Sequence, residues 1–197
     1  MENQNIETIE IGNQIWQTKN LNIDKFRNGD LIPQVIDDED WEQRTKDGKP
    51  AWCYYKNDPE NGIKYGKLYN WWAIIDERGL APEGFHIPSN EEWLELINFL
   101  GGMKSAGTKL KALSGWKKDG NGDNSSGFNA IPGGRRYLFG GFDSFYNDNC
   151  YWWSSTESNT YMAWFWNLYF YDGEVINNQA YKDAGMQVRC IVGTHSH

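Results

Sequence analysis

The chain has 197 residues, enough for one large domain, and its 19 basic and 27 acidic side chains give a net charge of −8. With no run of Lys or Arg, the composition argues against nucleic acids and anionic membrane surfaces as partners, because both are bound through clustered cations. Eleven Trp and 11 Tyr beside 21 Gly predict a folded chain with an aromatic core, since disordered chains are poor in aromatic residues.

The most aromatic stretch is YMAWFWNLYFYDGEV at 161–175. It is too short for a membrane-spanning helix, and Asn167 and Asp172 interrupt it, so no transmembrane segment is predicted. The first residues, MENQNIETIEIGNQ, have neither the basic flank nor the apolar block of a signal peptide. Either the protein stays inside the cell, or this chain is a mature or trimmed form.

The first predicted element is a β-hairpin. Ile9 and Ile11 lead into Gly12-Asn13, a pair suited to a two-residue turn, and the chain returns through Ile15-Trp16-Gln17. The polar residues 24–50 are expected to be irregular. AWCYY at 51–55 is expected to be a short strand or an extended segment.

Two helices are predicted next. In LYNWWAI at 68–74 the apolar residues recur at helical spacing. In IPSNEEWLELINFLGG, Ser89 and Glu92 form a capping box and Gly101 supplies the left-handed stop. The apolar residues that share one face of this second helix are Trp93, Ile97 and Leu100. Glycine-rich loops follow.

Beyond residue 150 the apolar pattern changes to a period of two. Even-numbered positions from Met162 to Phe170 predict a core-facing side, and the odd-numbered positions are expected to face loops or water. Asp172-Gly173 predicts a hairpin turn, and the residues 186–192 predict a closing strand. Together the elements predict a single α+β domain over 1–197, with two helices packed on a small antiparallel sheet and long irregular loops.

The odd-numbered side of this sheet and the loops beside it form the predicted ligand-binding surface. Tyr and Asn suit such a surface because they combine contact area with polar groups. The residues predicted to contact a ligand are Arg135, Arg136, Asn147, Asp148, Asn167, Tyr169, Tyr171, Asn177, Asn178 and Tyr181.

The loop DGNGDNSS raises the question of a calcium site. Asp119, Asn121, Asp123 and Ser125 occupy positions one, three, five and seven of a calcium-binding loop. The sixth and twelfth positions hold Asn and Ala instead of Gly and Glu, and Asp, Asn and Gly also form solvated turns. Calcium and a plain turn both stay open, and no other cofactor is expected.

The sequence lacks the patterns of common catalytic sites. It has no GxSxG motif, no CxxC pair and only three histidines, two of them in the C-terminal tail. The chain is therefore expected not to be an enzyme.

Five segments occur in a familiar order: YGKLYNWWAI at 65–74, GFHIPSNEEW at 84–93, NSSGFNAIPGGRR at 124–136, YWWSSTE at 151–157 and QVRCIV at 187–192. In that order they resemble the bacterial FISUMP domain, the Fibrobacter succinogenes major paralogous domain, over residues 6–193. The second segment also resembles a signature of the formylglycine-generating-enzyme-like branch of the C-type lectin fold.

The resemblance implies a C-type-lectin-like fold and a secreted or surface-attached bacterial module with no established chemistry. The related variable proteins of diversity-generating retroelements use the C-terminal sheet of this fold as a ligand surface. This similarity implies a site near residues 147–181. The expected function is a non-catalytic ligand-binding or adhesion module for a glycan or a cell-surface protein, outside the cell or at its surface. A cytoplasmic location stays open.

The same resemblance implies that the chain ends meet, which makes Cys53 and Cys190 the expected disulfide pair. Two alternative functions stay open. One is a metal-dependent enzyme of the formylglycine-generating type, and the other is a self-associating structural component of a surface.

Overall fold

A computed structural model describes residues 6–137, 141–143 and 148–193. Within these residues the chain forms five α-helices and nine β-strands, which confirms the α+β class. In chain order the elements are β1 Thr8–Ile11, β2 Gln14–Gln17, α1 Asp38–Lys46, β3 Trp52–Cys53, α2 Pro59–Tyr65, β4 Leu68–Tyr69, α3 Trp71–Ile74, β5 Phe85–His86, α4 Asn90–Phe99, α5 Ala106–Leu110, β6 Asn149–Glu157, β7 Met162–Tyr169, β8 Val175–Tyr181 and β9 Ile191–Val192.

The first sheet joins the two ends of the chain. Its strand order is β1-β2-β9-β5, and the predicted N-terminal hairpin is confirmed, with Gly12 at a φ of 62° in the two-residue turn. Trp16 of β2 pairs with Ile191 of β9. The expectation that early and late strands come close is therefore confirmed.

The expectation of an irregular segment over 24–50 is wrong at its centre, where Asp38–Lys46 forms α1. The Asp37 side chain accepts hydrogen bonds from two backbone amides of the first turn, at 2.9 and 3.0 Å. Of the helix residues, only Trp41 and Thr45 are buried. The helix thus depends on its cap and on distant contacts, and its apolar periodicity is too weak to recognise in the sequence.

The helix predicted in 68–74 is shorter than expected. Asn70 caps the helix by accepting a hydrogen bond from the amide of Ala73, so α3 starts at Trp71. Leu68 and Tyr69 pair with β3 instead. The extended segment predicted at 51–55 is confirmed by β3.

The second predicted helix is confirmed as α4. Ser89 and Glu92 form the capping box, and Gly101 lies in the left-handed region at a φ of 104°. The residues predicted for its apolar face, Trp93, Ile97 and Leu100, are all buried. The short helices α1, α2 and α5 were not predicted, which is why the described residues contain five helices rather than two.

The C-terminal sheet has the order β6-β7-β8. We call its inner face the side that carries Trp152, Trp166 and Leu168, and its outer face the side that carries Tyr151, Phe165, Asn167 and Tyr169, as the strand register defines. On the inner face Trp93 lies near Trp152 and Trp166, with ring centroids 5.7 and 6.2 Å apart. The hairpin predicted at Asp172-Gly173 is confirmed, since Leu168 pairs with Val175 across it.

The expected exposure of the outer face is wrong for its central part. Tyr151 and Phe165 are buried in a core cluster with residues of α3 and β4, and Asn167 is buried beside them. The Arg135 guanidinium carbon also lies 4.5 Å from the centroid of the Tyr151 ring. Both faces of the sheet are therefore covered at its centre, by elements that are distant in the sequence.

The predicted closing strand is shorter than expected, because only Ile191–Val192 is a strand. Gln187 and Arg189, the polar residues that alternate with the apolar ones in this segment, are also buried. Gln187 donates to the carbonyl of Gly134 at 3.0 Å, and Arg189 donates to the carbonyl of Phe128 at 2.7 Å. A buried polar side chain with such partners satisfies backbone groups that would otherwise lack them. Among the described residues no helix has the length and the apolar character that crossing a membrane requires.

Candidate ligand-binding cleft

Three of the predicted ligand residues are buried, so the expectation that they contact a ligand from the surface is wrong. They are Arg136, Asp148 and Asn167. Arg136 is fully buried and donates to the carbonyls of residues 35–37 and, at 2.5 Å, to Asp38 Oδ1. It anchors the start of α1. Asn147 lies outside the described residues.

Asp148, which precedes β6, and Asn167, in β7, are both buried. Asp148 Oδ2 accepts a hydrogen bond from Lys117 Nζ at 3.1 Å. Asn167 lies on the outer face opposite Tyr151, where neighbouring elements cover it. The alternation of residues in β7 correctly predicts that Asn167 lies on the face opposite to Trp166. That face, however, packs against a second core cluster instead of facing solvent.

Asn177 also has a structural role. Its Nδ2 donates to Asn90 Oδ1 at 2.9 Å and to the carbonyl of Phe165 at 3.2 Å. Asn90 Oδ1 accepts a further hydrogen bond from Trp166 Nε1 at 3.0 Å. These contacts fasten the first residue of α4 to the inner face of the sheet.

Arg135 is partly exposed and lies between two aromatic rings. Its guanidinium carbon is 4.5 Å from the Tyr151 centroid and 4.7 Å from the Tyr137 centroid, close enough for cation–π attraction. Its Nε lies 3.5 Å from Asp143 Oδ1. Burial raises the pKa of Asp143, although Tyr137 and the Arg135 guanidinium oppose the rise.

Asn178 and Tyr181 are exposed but do not lie near Tyr171. Tyr181 pairs with Met162 at one end of β8, whereas Val175 at the other end borders the hairpin turn. Six steps along a strand span about 20 Å. Asn178 pairs with Phe165 at the middle of β8, so the exposed residues of the predicted surface are spread along the sheet instead of gathered at the hairpin turn.

Tyr169 and Tyr171 remain together, at the end of the sheet formed by residues 169–174, which we call the hairpin end. Their rings stack with centroids 5.3 Å apart and an angle of 8° between the planes. Tyr171 is 63% exposed even so. A ring that is supported on one side and open on the other is a suitable contact surface for a ligand.

A cleft of about 170 Å³ adjoins this pair, between the hairpin turn, α5 and the loop 117–122. We call it the hairpin cleft. The residues that line it are Thr108, Lys111, Asp119, Gly120, Asn121, Phe170, Tyr171 and Asp172. It thus combines an aromatic wall with carboxylate, amide, hydroxyl and ammonium groups.

The hairpin turn is held in place against α5. The Gly107 amide donates to the carbonyl of Gly173 at 3.0 Å, and the Val175 amide donates to the carbonyl of Met103 at 2.7 Å. A Cβ atom at Gly120 would lie 2.1 Å from the carbonyl oxygen of Phe170, so only glycine allows this approach. The cleft is therefore built by close backbone contacts on both sides.

Lys111 lies at the base of the cleft and is 2% exposed. Its Nζ donates to the carbonyl of Asp172 at 2.6 Å and lies 4.7 Å from the centroid of the Trp116 ring. Burial lowers the pKa of Lys111, against the opposing effect of Cys150 and Asp172. Lys111 was not predicted from the sequence, because a lysine in a polar segment gives no sign that it is buried.

The predicted calcium residues are not gathered around one point by their side chains. Asn121 Oδ1 accepts a hydrogen bond from the amide of Trp116, and Asp123 Oδ1 accepts one from the amide of Ser125. Asp119 and Asn121 line the hairpin cleft, whereas Asp123 and Ser125 do not. These contacts are those of a turn, and calcium binding stays a prediction.

The expected disulfide between Cys53 and Cys190 is wrong. Cys53, Cys150 and Cys190 are free and buried, and each lies in a different core cluster. Burial raises the pKa of Cys53 and of Cys190 to about 12 in each case, so these thiols stay protonated near neutral pH. The meeting of the chain ends brings β2 and β9 together, but not β3 and β9.

A second cleft, of about 230 Å³, lies beside the first hairpin and is lined by residues 6–7, 17, 19–23 and 82. It contains none of the predicted ligand residues. Asn20 in its wall is already engaged, because its Oδ1 accepts hydrogen bonds from Trp152 and Arg189. We therefore favour the smaller hairpin cleft, which has the open aromatic wall.

Across the described ranges, no group of three or more His, Cys, Asp or Glu side chains is arranged to hold a metal ion. A family model described as the Fibrobacter succinogenes major domain matches residues 9–192. No curated protein and no solved structure matches the chain. The match covers nearly the whole chain, in agreement with the order of the five sequence motifs.

Proposed function

The chain belongs to the Fibrobacter succinogenes major domain family, and we propose that it is a non-catalytic ligand-binding or adhesion module. It recognises a glycan or a cell-surface protein through the hairpin end of its C-terminal sheet. The observation that carries this proposal is the stack of Tyr169 and Tyr171, in which the Tyr171 ring stays open to solvent beside a polar cleft. Aromatic residues with polar neighbours dominate binding sites because they offer a large contact area at little cost in entropy.

A C-type-lectin-like architecture and a place outside the cell or at its surface are parts of the same proposal. The pairing of β2 with β9, which joins the chain ends, supports the architecture. The motif GFHIPSNEEW, with its capping box at the start of α4, supports a relation to the formylglycine-generating branch. The location rests on the resemblance to surface-attached bacterial modules.

The proposed binding requires no cofactor. Stoichiometric copper or iron in the purified protein would favour instead a metal-dependent enzyme of the formylglycine-generating type. Self-association at modest concentration would favour a structural component of a surface. Calcium in the loop 119–125 would add a cofactor without changing the proposed site.

The test compares two exposed tyrosines on the same sheet. Tyr171→Ala removes the open ring of the hairpin end, and Tyr161→Ala removes a ring that is 72% exposed at the opposite end. Wild type and both variants are applied to a glycan array and to immobilised bacterial surface proteins. We expect Tyr171→Ala alone to weaken the binding, by about tenfold or more, as for an aromatic residue at the centre of a contact.

Equal binding by the wild type and Tyr171→Ala would contradict the proposal. So would equal losses in the two variants, because the hairpin end would then have no special role.

A further inference from the structure

The chemistry of the hairpin cleft indicates which class of ligand it accepts. Its volume of about 170 Å³ is below the roughly 300–1,000 Å³ of pockets for drug-sized molecules. It therefore has room for one ring at the end of a ligand, and the rest of the ligand would extend over the exposed Tyr171.

The charges in the cleft disfavour ions of either sign. An anion is repelled by the carboxylates of Asp119 and Asp172, and a cation is repelled by the buried Lys111 ammonium at the base. In each case this repulsion offsets the attraction of the opposite charge, so the hydration that the ion loses in the cleft is not compensated. Neither charge is offset by a side-chain ion pair with the other described residues, since Lys111 Nζ bonds to the backbone carbonyl of Asp172. A neutral ligand avoids both penalties.

The hydrogen-bonding groups disfavour an apolar ligand. Lys111 has three N–H donors, and the Asp172 carbonyl is its one acceptor at hydrogen-bond distance among the described residues. An apolar guest would leave the other donors without water or partners, which is costly for a side chain that is 2% exposed. A hydroxyl group accepts from Lys111 and donates to Asp119 or Asp172, so it suits both kinds of group.

The aromatic wall completes the match to a sugar ring. A pyranose presents C–H groups on its faces and hydroxyl groups around its edge. Tyr171 offers the flat surface, and Tyr169 behind it fixes the position of the ring at a distance of 5.3 Å. The cleft thus places an apolar plane at one side of the guest and polar groups at the other.

We infer that the hairpin cleft binds a single neutral saccharide ring, stacked on Tyr171 and hydrogen-bonded to Lys111, Asp119 and Asp172. This inference rests on the proposed function, because it names the ligand class for the same site. It excludes uronic acids and amino sugars as preferred ligands.

The experiment uses amide chemical shifts of the isotope-labelled full chain. The probes are the methyl glycosides of glucose, galactose, mannose and xylose, with glucuronate and glucosamine as charged comparisons. Each is added at about 10 mM, which fills most of a weak site with a Kd of about 1 mM. We expect at least one neutral glycoside to shift residues 108–121 and 169–173, and both charged sugars to shift them about tenfold less.

Two matched variants test the polar contacts. Asp119→Asn changes a residue that lines the cleft, and Asp123→Asn makes the same change in the same loop outside the cleft. Asn tolerates the left-handed φ of 60° at position 119, and at position 123 it keeps the oxygen that accepts from Ser125. We expect Asp119→Asn to weaken glycoside binding about tenfold and Asp123→Asn to leave it unchanged.

Absence of shifts at these residues with all four glycosides would overturn the inference, as would stronger shifts with glucuronate or glucosamine. Equal effects of the two variants would also overturn it. If Tyr171→Ala still abolished binding to a protein ligand in that case, the proposed function would stand and only the saccharide assignment would fall.

Discussion

The C-terminal sheet carries aromatic residues along its whole length, but its centre and its hairpin end differ. At the centre, Trp152 and Trp166 are buried, and each indole N–H donates to an Asn side chain that is distant in the sequence. At the hairpin end, Tyr169 and Tyr171 stack on each other, and Tyr171 is largely exposed. Aromatic residues thus hold the fold together in one region, and one of them, Tyr171, stays exposed in the other.

The difference follows from what packs against each region. Elements from the N-terminal half cover both faces of the centre, and these elements bring polar partners with them. The hairpin end extends past this cover and, among the described residues, lies against α5 and the loop 117–122. Composition alone does not separate buried from exposed aromatic residues, whereas their position along the strand does.

The largest expected effect is at the centre of the sheet. Trp166→Ala should lower the free energy of unfolding by about 3–5 kcal/mol, because it leaves a cavity beside Trp93 and removes one of the two hydrogen bonds to Asn90 Oδ1. Urea unfolding followed by far-UV circular dichroism measures this loss. A loss below about 1 kcal/mol would show that the centre tolerates repacking and would break the comparison.

A large effect on stability is also expected from the replacement of Arg189, a buried cation. Arg189 donates to the carbonyls of Gln17 and Phe128 and to Asn20 Oδ1, and it has no carboxylate partner among the described residues. Arg189→Met should cost about 3 kcal/mol, because it leaves buried acceptors unpaired. Lys104→Met, which removes an exposed cation, is the control and should be close to neutral.

The sequence predicts some parts of this structure and not others. The α4 helix and both hairpins were predicted correctly, because a capping box and turn residues act over a few positions. The cover of the outer face was not, because it depends on Arg135 and on α3, which no local pattern connects with Tyr151. Within the candidate site, Tyr169 and Tyr171 were predicted from alternation, but Lys111 was not, since burial of a lysine depends entirely on distant elements.

A smaller effect should depend on pH. Nε2 of His86 lies 2.7 Å from Glu92 Oε1, and Nδ1 lies 3.0 Å from the carbonyl of Gly193, so the doubly protonated ring can donate to both. Burial lowers the pKa of His86, but the bonds to Glu92 and Gly193 outweigh it and raise the pKa overall. The charged ring therefore stabilises the fold fully below the unfolded-state pKa of about 6.5, and this contribution is lost as the pH rises through the higher folded-state value.

His86→Gln removes this titration. We expect the wild type to lose about 1 kcal/mol of unfolding free energy as the pH rises from slightly acidic to slightly basic, beyond any loss in the variant. Urea unfolding at several pH values measures the difference. Because Glu92 belongs to the capping box of α4, the effect should reach the centre of the sheet and leave ligand binding at the hairpin end unchanged. Parallel slopes in the two proteins would contradict the assignment.

The smallest effect on stability is expected at the hairpin end. Tyr171→Ala should change the free energy of unfolding by less than about 0.5 kcal/mol, because the ring is mostly exposed and its loss leaves the backbone contacts of the turn intact. Together with a loss of ligand binding, this result would distinguish the hairpin end, which binds, from the centre of the sheet, which stabilises the fold. Destabilisation as large as that of Trp166→Ala would show instead that Tyr171 mainly stabilises the folded structure.

The pairing of β2 with β9 has a consequence for the order in which the chain can be connected. Because β1 and β9 flank β2 on opposite sides, the first and last strands lie roughly 10 Å apart. A short glycine-rich linker could join them, and new termini could open in an exposed loop such as the one at Gly115. A circular permutant of this kind would keep every strand pairing of the fold while moving the start of the chain next to the hairpin cleft.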